Sequence, residues 1–321
     1  RILDTGRPRG RLDRMVGSTR RVLERARKLE ADLYHLHDPE LLLGGVALRL
    51  GGADVVFDAH EDLPRQILSK PYLHPTLRRP ISMAASLLER FACRRLDHVV
   101  AATPAIRDKF AALGIPTTNI NNFPMVGELS TDVPWAGKQC QVCYVGGINT
   151  IRGIREVIAA IAACKAGIRI SLVGNFTERG VREQMVASPG WTRVDELGFL
   201  SRNKVRDVLA RSIAGLVTFL PEPNHIEAQP NKMFEYMSAS LPVIASNFPL
   251  WREIVEGNEC GICVDPLNPT EIAAAVDYLA ENPDIARQMG ENGRRAVNTH
   301  YNWGVEEKKL RALYSKLLES A

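Results

Sequence analysis

The sequence has no apolar run of about 18 residues, so we expect neither a transmembrane span nor a signal peptide. It also lacks internal repeats, low-complexity segments and basic patches interleaved with aromatic residues, and the last absence disfavours a nucleic-acid-binding protein. Its 321 residues are 45% apolar and 24% charged, which indicates a globular protein large enough for two domains. We therefore expect a cytoplasmic protein, or one peripheral to the inner face of a membrane.

Cysteine is scarce, but four of the six cysteines form two Cys-x-x-Cys pairs, Cys140 with Cys143 and Cys260 with Cys263. The spacing alone would suggest a zinc site. Both segments are predicted to be strands, however, and residues three apart in a strand point to opposite faces. We therefore expect buried, reduced thiols in a reducing compartment, and no bound metal.

Positive charge is concentrated near the start of the chain. Residues 1–30 contain 10 basic and 4 acidic residues. Such a segment could attract anionic lipid head groups, and a solvated helix face explains it equally well. A peripheral contact with an anionic membrane is therefore one of two open interpretations.

The stretch from Glu227 to Ser246 changes from a polar loop to an amphipathic helix and then to a β-branched strand. Asn231 is predicted to cap the start of this helix. Because Lys232 lies beside the helix start, where unpaired backbone amides point outward, the segment predicts a phosphate site.

Two glutamates flank this helix start, Glu227 in the loop and Glu235 one turn into the helix. Alone, they would indicate a solvated loop residue and a complement to the helix dipole. Their spacing, followed by the strand PVIAS, resembles the signature of retaining nucleotide-sugar glycosyltransferases of family 4. The resemblance continues through HLHDPELL, DAHEDLP, YVGGINTIRG, LGFLSRNKVRDVL and YNW, and so covers essentially the whole chain.

The resemblance implies a GT-B fold, in which two α/β Rossmann-like domains face a cleft and the second binds the nucleotide-sugar donor. It also implies that Glu227 meets the donor sugar and that Glu235 holds the nucleotide ribose. The family holds the nucleobase, largely through backbone groups, at the place matched here by Gly198, Phe199 and Leu200.

A glycine pair, Gly146 and Gly147, follows a predicted strand and precedes a helix, so backbone amides can approach a diphosphate there. The family usually places an arginine after the first glycine and a lysine some residues later. Here Gly147 and Arg152 occupy those places. This departure leaves Arg152 and Lys232, together with Asn231, as the predicted diphosphate-binding residues.

Two histidine-containing segments each follow a predicted strand in the first half of the chain. Because the carboxyl ends of strands carry the ligand site in open α/β sheets, the acceptor-side candidates are His37, Asp38, Glu61 and Asp62. His60 resembles the family's histidine that contacts the donor sugar near the reacting carbon, so it joins Glu227 as a catalytic candidate. Ordering of the neighbouring loop is an alternative role for His37 and Asp38.

The predicted domain organisation has four parts. An acceptor-side N-terminal domain spans residues 1–125, a linker 126–138, a donor-binding domain 139–299 and a closing helix, returning to the first domain, 300–321. A GT-B chain should open with a strand, a glycine-rich loop, a helix and a second strand. This sequence begins at Arg1 without them, which predicts an N-terminal domain lacking its opening βαβ unit.

A long helix is predicted over residues 77–95. One face of it carries an apolar stripe at helical spacing. The stripe consists of Met83, Ala84, Leu87, Leu88 and Phe91. Such a stripe is most simply core, and we expect it to be buried.

The predicted activity is transfer of a sugar from a nucleotide-diphosphate sugar to a glycan or lipid-linked acceptor, with retention, as in polysaccharide biosynthesis. No Asp-x-Asp motif occurs, so metal-independent catalysis is expected, with no cofactor. Two alternatives remain open, a nucleotide-sugar epimerase of the same fold and a GT-B protein that only binds sugar.

Overall fold

The computed structural model describes residues 2–7, 9–10, 13–70, 73–130, 133–165 and 167–319. Several residues of the basic segment 1–30, Arg1 and Arg11 among them, lie outside these ranges. The chain divides into two compact units, residues 1–121 with 306–321 and residues 122–305. Among the described residues, none of the helices combines the length and hydrophobicity that a bilayer span requires.

The first unit is a parallel four-stranded sheet with helices between its strands. Its strands are β1 (Leu33–Leu36), β2 (Asp54–Ala59), β3 (His98–Ala101) and β4 (Thr117–Asn119), paired in that order. Its helices are α1 (Thr19–Arg27), α2 (Leu42–Leu50), α3 (Leu63–Leu68), α4 (Pro75–Cys93) and α5 (Pro104–Ala111), with a π-helical turn at Asp13–Ser18 and a 3-10 turn at Pro39–Leu41. Each helical crossover brings the chain back to a parallel strand, as expected for a βαβ architecture.

The second unit is a parallel six-stranded sheet. Its strands are β5 (Gln141–Val145), β6 (Arg169–Val173), β7 (Val194–Gly198), β8 (Ala214–Val217), β9 (Val243–Ser246) and β10 (Gly261–Val264), in the order β10-β9-β8-β5-β6-β7. Its helices are α6 (Ile154–Ala163), α7 (Val181–Val186), α8 (Arg202–Arg211), α9 (Asn231–Ser238), α10 (Pro249–Val255), α11 (Pro269–Glu281) and α12 (Pro283–Thr299). Helix α13 (Trp303–Leu318) begins in this unit and belongs to the first from Glu306 on. The predicted linker, where it is described, lies within the second unit.

The second sheet is buried on both faces, because side chains that alternate along each strand enter two separate cores. In β5, Val142 and Tyr144 pack into one core and Cys143 into the other. The order of the strands reverses between β5 and β8. At such a reversal the carboxyl ends of the strands open a crevice for ligands.

Only the second cysteine of each Cys-x-x-Cys pair lies in a strand, Cys143 in β5 and Cys263 in β10, so the prediction of buried strand thiols was wrong for Cys140. Cys143 is buried in β5, while Cys140 precedes that strand and is exposed. All six cysteines are free, and burial raises the pKa of Cys143 and of Cys260 to about 12. These two thiols are therefore protonated and unreactive at neutral pH.

The predicted burial of the apolar stripe on α4 was wrong. Met83 is 67% exposed and Leu87 is 62% exposed. The opposite face is buried instead, where Ala92 and Cys93 are small enough to let the helix pack closely and the Glu89 carboxylate meets Lys109. The periodicity correctly indicated an amphipathic helix, but it does not say which face meets the core.

Candidate functional site

The glycine loop after β5 is fixed by two tyrosines. The Val145 amide donates to the Tyr236 hydroxyl at 2.8 Å, and the Tyr144 hydroxyl donates to the Gly147 carbonyl at 3.0 Å. Both tyrosines are fully buried. Tyr144 packs in the core on one face of the sheet and Tyr236 in the core on the other. The loop is therefore held in place from both faces of the sheet.

A third glycine, Gly174 after β6, supports this loop from the neighbouring strand. Its φ is +132°, and a Cβ added there would lie 2.0 Å from the Gly146 carbonyl oxygen. Gly174 was not among the site residues predicted from the sequence. Glycine is required at position 174 because the loops after β5 and β6 meet backbone to backbone in the folded structure.

We expect Gly174→Ala to lower the free energy of unfolding by about 4 kcal/mol or more, because neither backbone can move away without disturbing its strand. Gly167→Ala is the matched control, since Gly167 also has a positive φ (+95°) and no heavy atom within 4 Å of an added Cβ. It should cost only the conformational strain of about 1–2 kcal/mol. Urea denaturation of both variants makes the comparison, and equal losses would contradict the close contact.

Lys232 is a buried lysine without a hydrogen-bond partner in the part of the chain that the structure describes. Its side chain enters the second unit from the first turn of α9, and Nζ lies 3.5 Å from the centre of the Tyr144 ring. Nζ has no hydrogen-bond partner among the described residues. Burial, followed by the neighbouring Arg152 guanidinium, holds the pKa of Lys232 well below its usual range. A buried, unpaired ammonium is costly, and an anion would compensate it.

Arg152 brings a second cation to the same loop. Its Nη1 donates to the Gly147 carbonyl at 3.3 Å. A Cβ added to Gly147 would lie 3.1 Å from this nitrogen, and one added to Gly146 would lie 3.5 Å from Lys232 Nζ. Both side chains therefore border the glycine pair, and together with its backbone they form a candidate anion site.

Helix α9 begins at Asn231, so the prediction that Asn231 caps it was wrong. Pro230 occupies the cap position with extended backbone (φ −68°, ψ 126°), and no side chain accepts a capping hydrogen bond there. Proline often occupies the first position of a helix. Here Pro230 occupies the N-cap, and the helix begins one residue earlier than predicted. The first-turn amides lack a side-chain cap, and Asn231 is exposed.

Glu235 lies in a cavity of about 350 Å³ next to the start of α9. The cavity is lined by Asn122, Phe123, Pro124, Met125, Glu128, Arg202, Asn231, Glu235 and Trp303. Arg202 Nη1 donates to Glu235 Oε1 at 2.7 Å, and Arg202 Nε donates to Glu128 Oε1 at 2.7 Å. The carboxylate of Glu235 is therefore held in a fixed orientation.

The two carboxylates on Arg202 raise its pKa, led by the hydrogen bond to Glu128, and Arg202 in turn lowers the pKa of Glu128. The sequence did not predict this triad. Arg202 lies in the LSRNK segment and Glu128 lies 74 residues earlier, in the segment predicted as a linker. No spacing rule connects such distant positions.

The Glu227 loop, residues 221–230, is held by side chains that the sequence did not indicate. The Trp251 indole Nε1–H donates to the Ala228 carbonyl at 2.7 Å, and Trp251 is fully buried. His225 Nδ1 lies 3.0 Å from the Leu220 carbonyl oxygen, and burial lowers the pKa of this histidine. Glu227 itself is half-buried.

The predicted nucleobase segment follows β7. The Gly198 carbonyl accepts from the Gly174 amide at 2.8 Å, so the glycines at the carboxyl ends of β5, β6 and β7 lie side by side. Phe199 is 82% exposed, while Leu200 packs against the core.

In the first unit, histidines from β1 and β2 surround one carboxylate. Asp58 Oδ2 lies 3.4 Å from His35 Nε2 and 3.3 Å from His37 Nδ1, and Asp58 Oδ1 lies 3.5 Å from His60 Nδ1. His37 stacks on both neighbours, and the hydroxyl of Tyr314 meets His35. Burial, and next the charge of His35, lowers the pKa of His37. The sequence predicted neither His35 nor Asp58.

The remaining acceptor-side candidates occupy the same end of the first sheet. Asp62 caps α3, accepting from the Arg65 amide at 3.3 Å, and its carboxylate also accepts from Lys109 Nζ at 3.1 Å. Glu61 accepts from Gln66, and Asp38 is exposed after β1. Asp62 therefore has a structural role in addition to any role in binding.

Known structures share this architecture. Sucrose-phosphate synthase from Thermosynechococcus elongatus aligns with a TM-score of 0.75 and 20% identity, over 96% of this chain and 80% of that one. Anabaena HepE in complex with UDP-glucose aligns with a TM-score of 0.74 and 18% identity, over 96% of this chain and 84% of that one. The expected GT-B fold is confirmed.

Sequence comparison agrees with the fold. The family model for glycosyl transferases group 1 matches residues 127–296, and the one for glycosyltransferase family 4 matches residues 3–123. The α-D-kanosaminyltransferase of Streptomyces kanamyceticus is 24% identical over 274 residues, 78% of this chain and 70% of that protein. The chain belongs to the glycosyl transferases group 1, and is thus a transferase enzyme.

Proposed function

We propose that this glycosyltransferase moves a sugar from a nucleotide-diphosphate sugar to a glycan or lipid-linked acceptor, with retention and without a metal ion. The observation that carries the proposal is the buried, unpartnered Lys232 ammonium beside Arg152 at the glycine loop. Two cations and a backbone surface at one point fit the two phosphates of such a donor. UDP-glucose in the HepE complex is a donor of this class.

Each part of the donor has a proposed partner. Gly146, Gly147, Arg152, Asn231 and Lys232 bind the diphosphate, and Gly198, Phe199 and Leu200 hold the base. Glu235, fixed by Arg202, accepts hydrogen bonds from the ribose hydroxyls. Glu227 is assigned to the sugar, and His60 of the first unit is assigned to the sugar near its reacting carbon.

The proposed chemistry rests on charge stabilisation. As the bond between sugar and phosphate breaks, negative charge grows on the diphosphate, where Arg152 supplies one positive charge and Lys232, whose protonated form the bound phosphates favour, supplies a second. The leaving phosphate oxygen takes the proton of the attacking acceptor hydroxyl on the same face of the sugar, which gives retention. Two protein cations thus do the work that a divalent ion does in other enzymes.

We place the reaction in the cytoplasm, in polysaccharide biosynthesis. Two buried thiols whose pKa is raised to about 12 are compatible with that reducing compartment.

A donor screen followed by a product assay tests the proposal. Nucleotide-diphosphate sugars should raise the melting temperature of the protein, because a ligand of the native state stabilises it. Incubation of a stabilising donor with candidate acceptors, with and without a chelator, should give a product with the donor's anomeric configuration. Epimerised donor, or binding without turnover, would support one of the two alternatives instead, and loss of turnover with chelator would contradict metal independence.

A further inference from the structure

Helix α4 turns an apolar face toward solvent. Six large side chains on this face are at least one-third exposed. They are Leu77 (52%), Ile81 (38%), Met83 (67%), Leu87 (62%), Leu88 (43%) and Phe91 (48%). Isolated exposed apolar residues are ordinary, but a contiguous stripe along a 19-residue helix indicates an interaction surface.

The same helix carries positive charge without exposed negative charge. Residues 73–96 contain five arginines and a single acid, Glu89. Glu89 is 2% exposed and its carboxylate meets Lys109, so it does not offset the arginines at the surface. Arg79, Arg90 and Arg94 are exposed, and the Arg95 guanidinium lies 3.7 Å from the centre of the Phe91 ring.

We propose that this surface, the outer face of α4 with Arg79, Arg90, Arg94 and Arg95, docks on an anionic lipid bilayer. An amphipathic helix with an apolar face bordered by arginines lies in the plane of such a surface, where its apolar side chains enter the headgroup boundary and the guanidinium groups meet phosphates. The helix is held against α3 by Ser82, whose hydroxyl donates to the Pro64 carbonyl at 2.7 Å. Docking does not depend on the proposed sugar transfer.

A second copy of the chain fits the surface less well. A stable dimer buries roughly 800 Å² per partner, so its interface would extend from the apolar stripe onto the arginines beside it. Two copies meeting at this face would also bring their arginines together without carboxylates between them, and like charges in an interface oppose association.

The surface also differs from the basic segment 1–30. There, Arg20 pairs with Glu24 at 2.7 Å and Arg21 pairs with Asp13 at 3.2 Å, so part of the charge is already neutralised. The described residues of that segment form no apolar stripe comparable to that of α4. We therefore assign the membrane contact to α4.

Vesicle sedimentation with matched variants tests the assignment. The double variant Leu87→Ser/Phe91→Ser should lose roughly tenfold or more of its partitioning onto vesicles of phosphatidylcholine with phosphatidylglycerol. Leu50→Ser is the control, because Leu50 is 84% exposed in the same unit but at the end of α2. Arg79→Ser/Arg90→Ser should weaken binding and its salt dependence, whereas Arg7→Ser/Arg9→Ser should change neither.

A fluorescent reporter gives a second readout. All four tryptophans of the chain lie in the second unit, so Phe91→Trp places a single indole in the first. On anionic vesicles its emission should shift to the blue, and brominated lipid should quench it beyond the wild-type level. Unquenched emission, equal binding to pure phosphatidylcholine, or loss of self-association rather than vesicle binding in the α4 variants would overturn the proposal.

Discussion

Lys232→Met should make the protein more stable and almost inactive at the same time. The lysine ammonium is buried without a partner, so an apolar side chain of similar length should raise the free energy of unfolding by about 1–3 kcal/mol. The same change removes a cation from the proposed diphosphate site, and kcat should fall by about a hundredfold to a thousandfold. Chemical denaturation and a donor-turnover assay on one preparation measure both effects.

A second buried lysine supplies the control. Lys138 Nζ donates to the carbonyls of Ala210 and Ser212 at 3.1 and 2.8 Å, and burial lowers its pKa to about 8. Lys138→Met should therefore destabilise the protein, because two buried carbonyls lose their donor, and it should leave donor affinity unchanged. If Lys232→Met were destabilising too, the contact of Nζ with the Tyr144 ring would outweigh the cost of burying this lysine.

Glu227→Gln should chiefly lower kcat, by roughly a hundredfold, which corresponds to about 3 kcal/mol of transition-state stabilisation. The carboxylate is proposed to lie against the sugar, where charge and ring geometry change as the bond breaks. Glutamine keeps the size of the side chain, so the loop anchored by Trp251 should remain in place.

Glu235→Ala is the informative comparison for Glu227→Gln. Its proposed partner, the ribose, does not change during the reaction, so its loss should weaken ground and transition states equally and chiefly raise the donor KM. Arg202 keeps its bonds to Glu128 in this variant, which limits the structural disturbance. Wild-type kcat in Glu227→Gln would refute the assignment of the two glutamates.

Much of the fold was predictable because its signals are local. The helix predicted over residues 77–95 and the strands predicted before the two histidine-containing segments were found as α4, β1 and β2, since helical spacing and short apolar runs depend on neighbouring residues. The burial of the α4 stripe and the Asn231 cap were predicted wrongly. The first depends on which face meets the sheet, and the second on a one-residue shift of a helix start.

The site was predictable only where a motif marks it. Glu235 and the glycine pair were identified from sequence, but Arg202, which orients Glu235, was not. Asp58, which joins three histidines, also escaped prediction, although it belongs to a predicted segment. Arg202 and Asp58 reach their partners only because the fold brings distant segments of the chain together. No motif in the sequence around either residue indicates these contacts.

The first unit is discontinuous in the chain, and this has a consequence for its biosynthesis. The Glu306 carboxylate, 1% exposed, accepts from the Asn121 amide at 2.9 Å, a bond between the end of one segment and the start of the other. A ribosome must add residues 122–305 between them, which takes roughly 10–40 s at about 5–20 residues per second. During translation the second unit can therefore complete its core before the first unit receives its last helix, so the final step in folding the first unit follows the synthesis of the whole second unit.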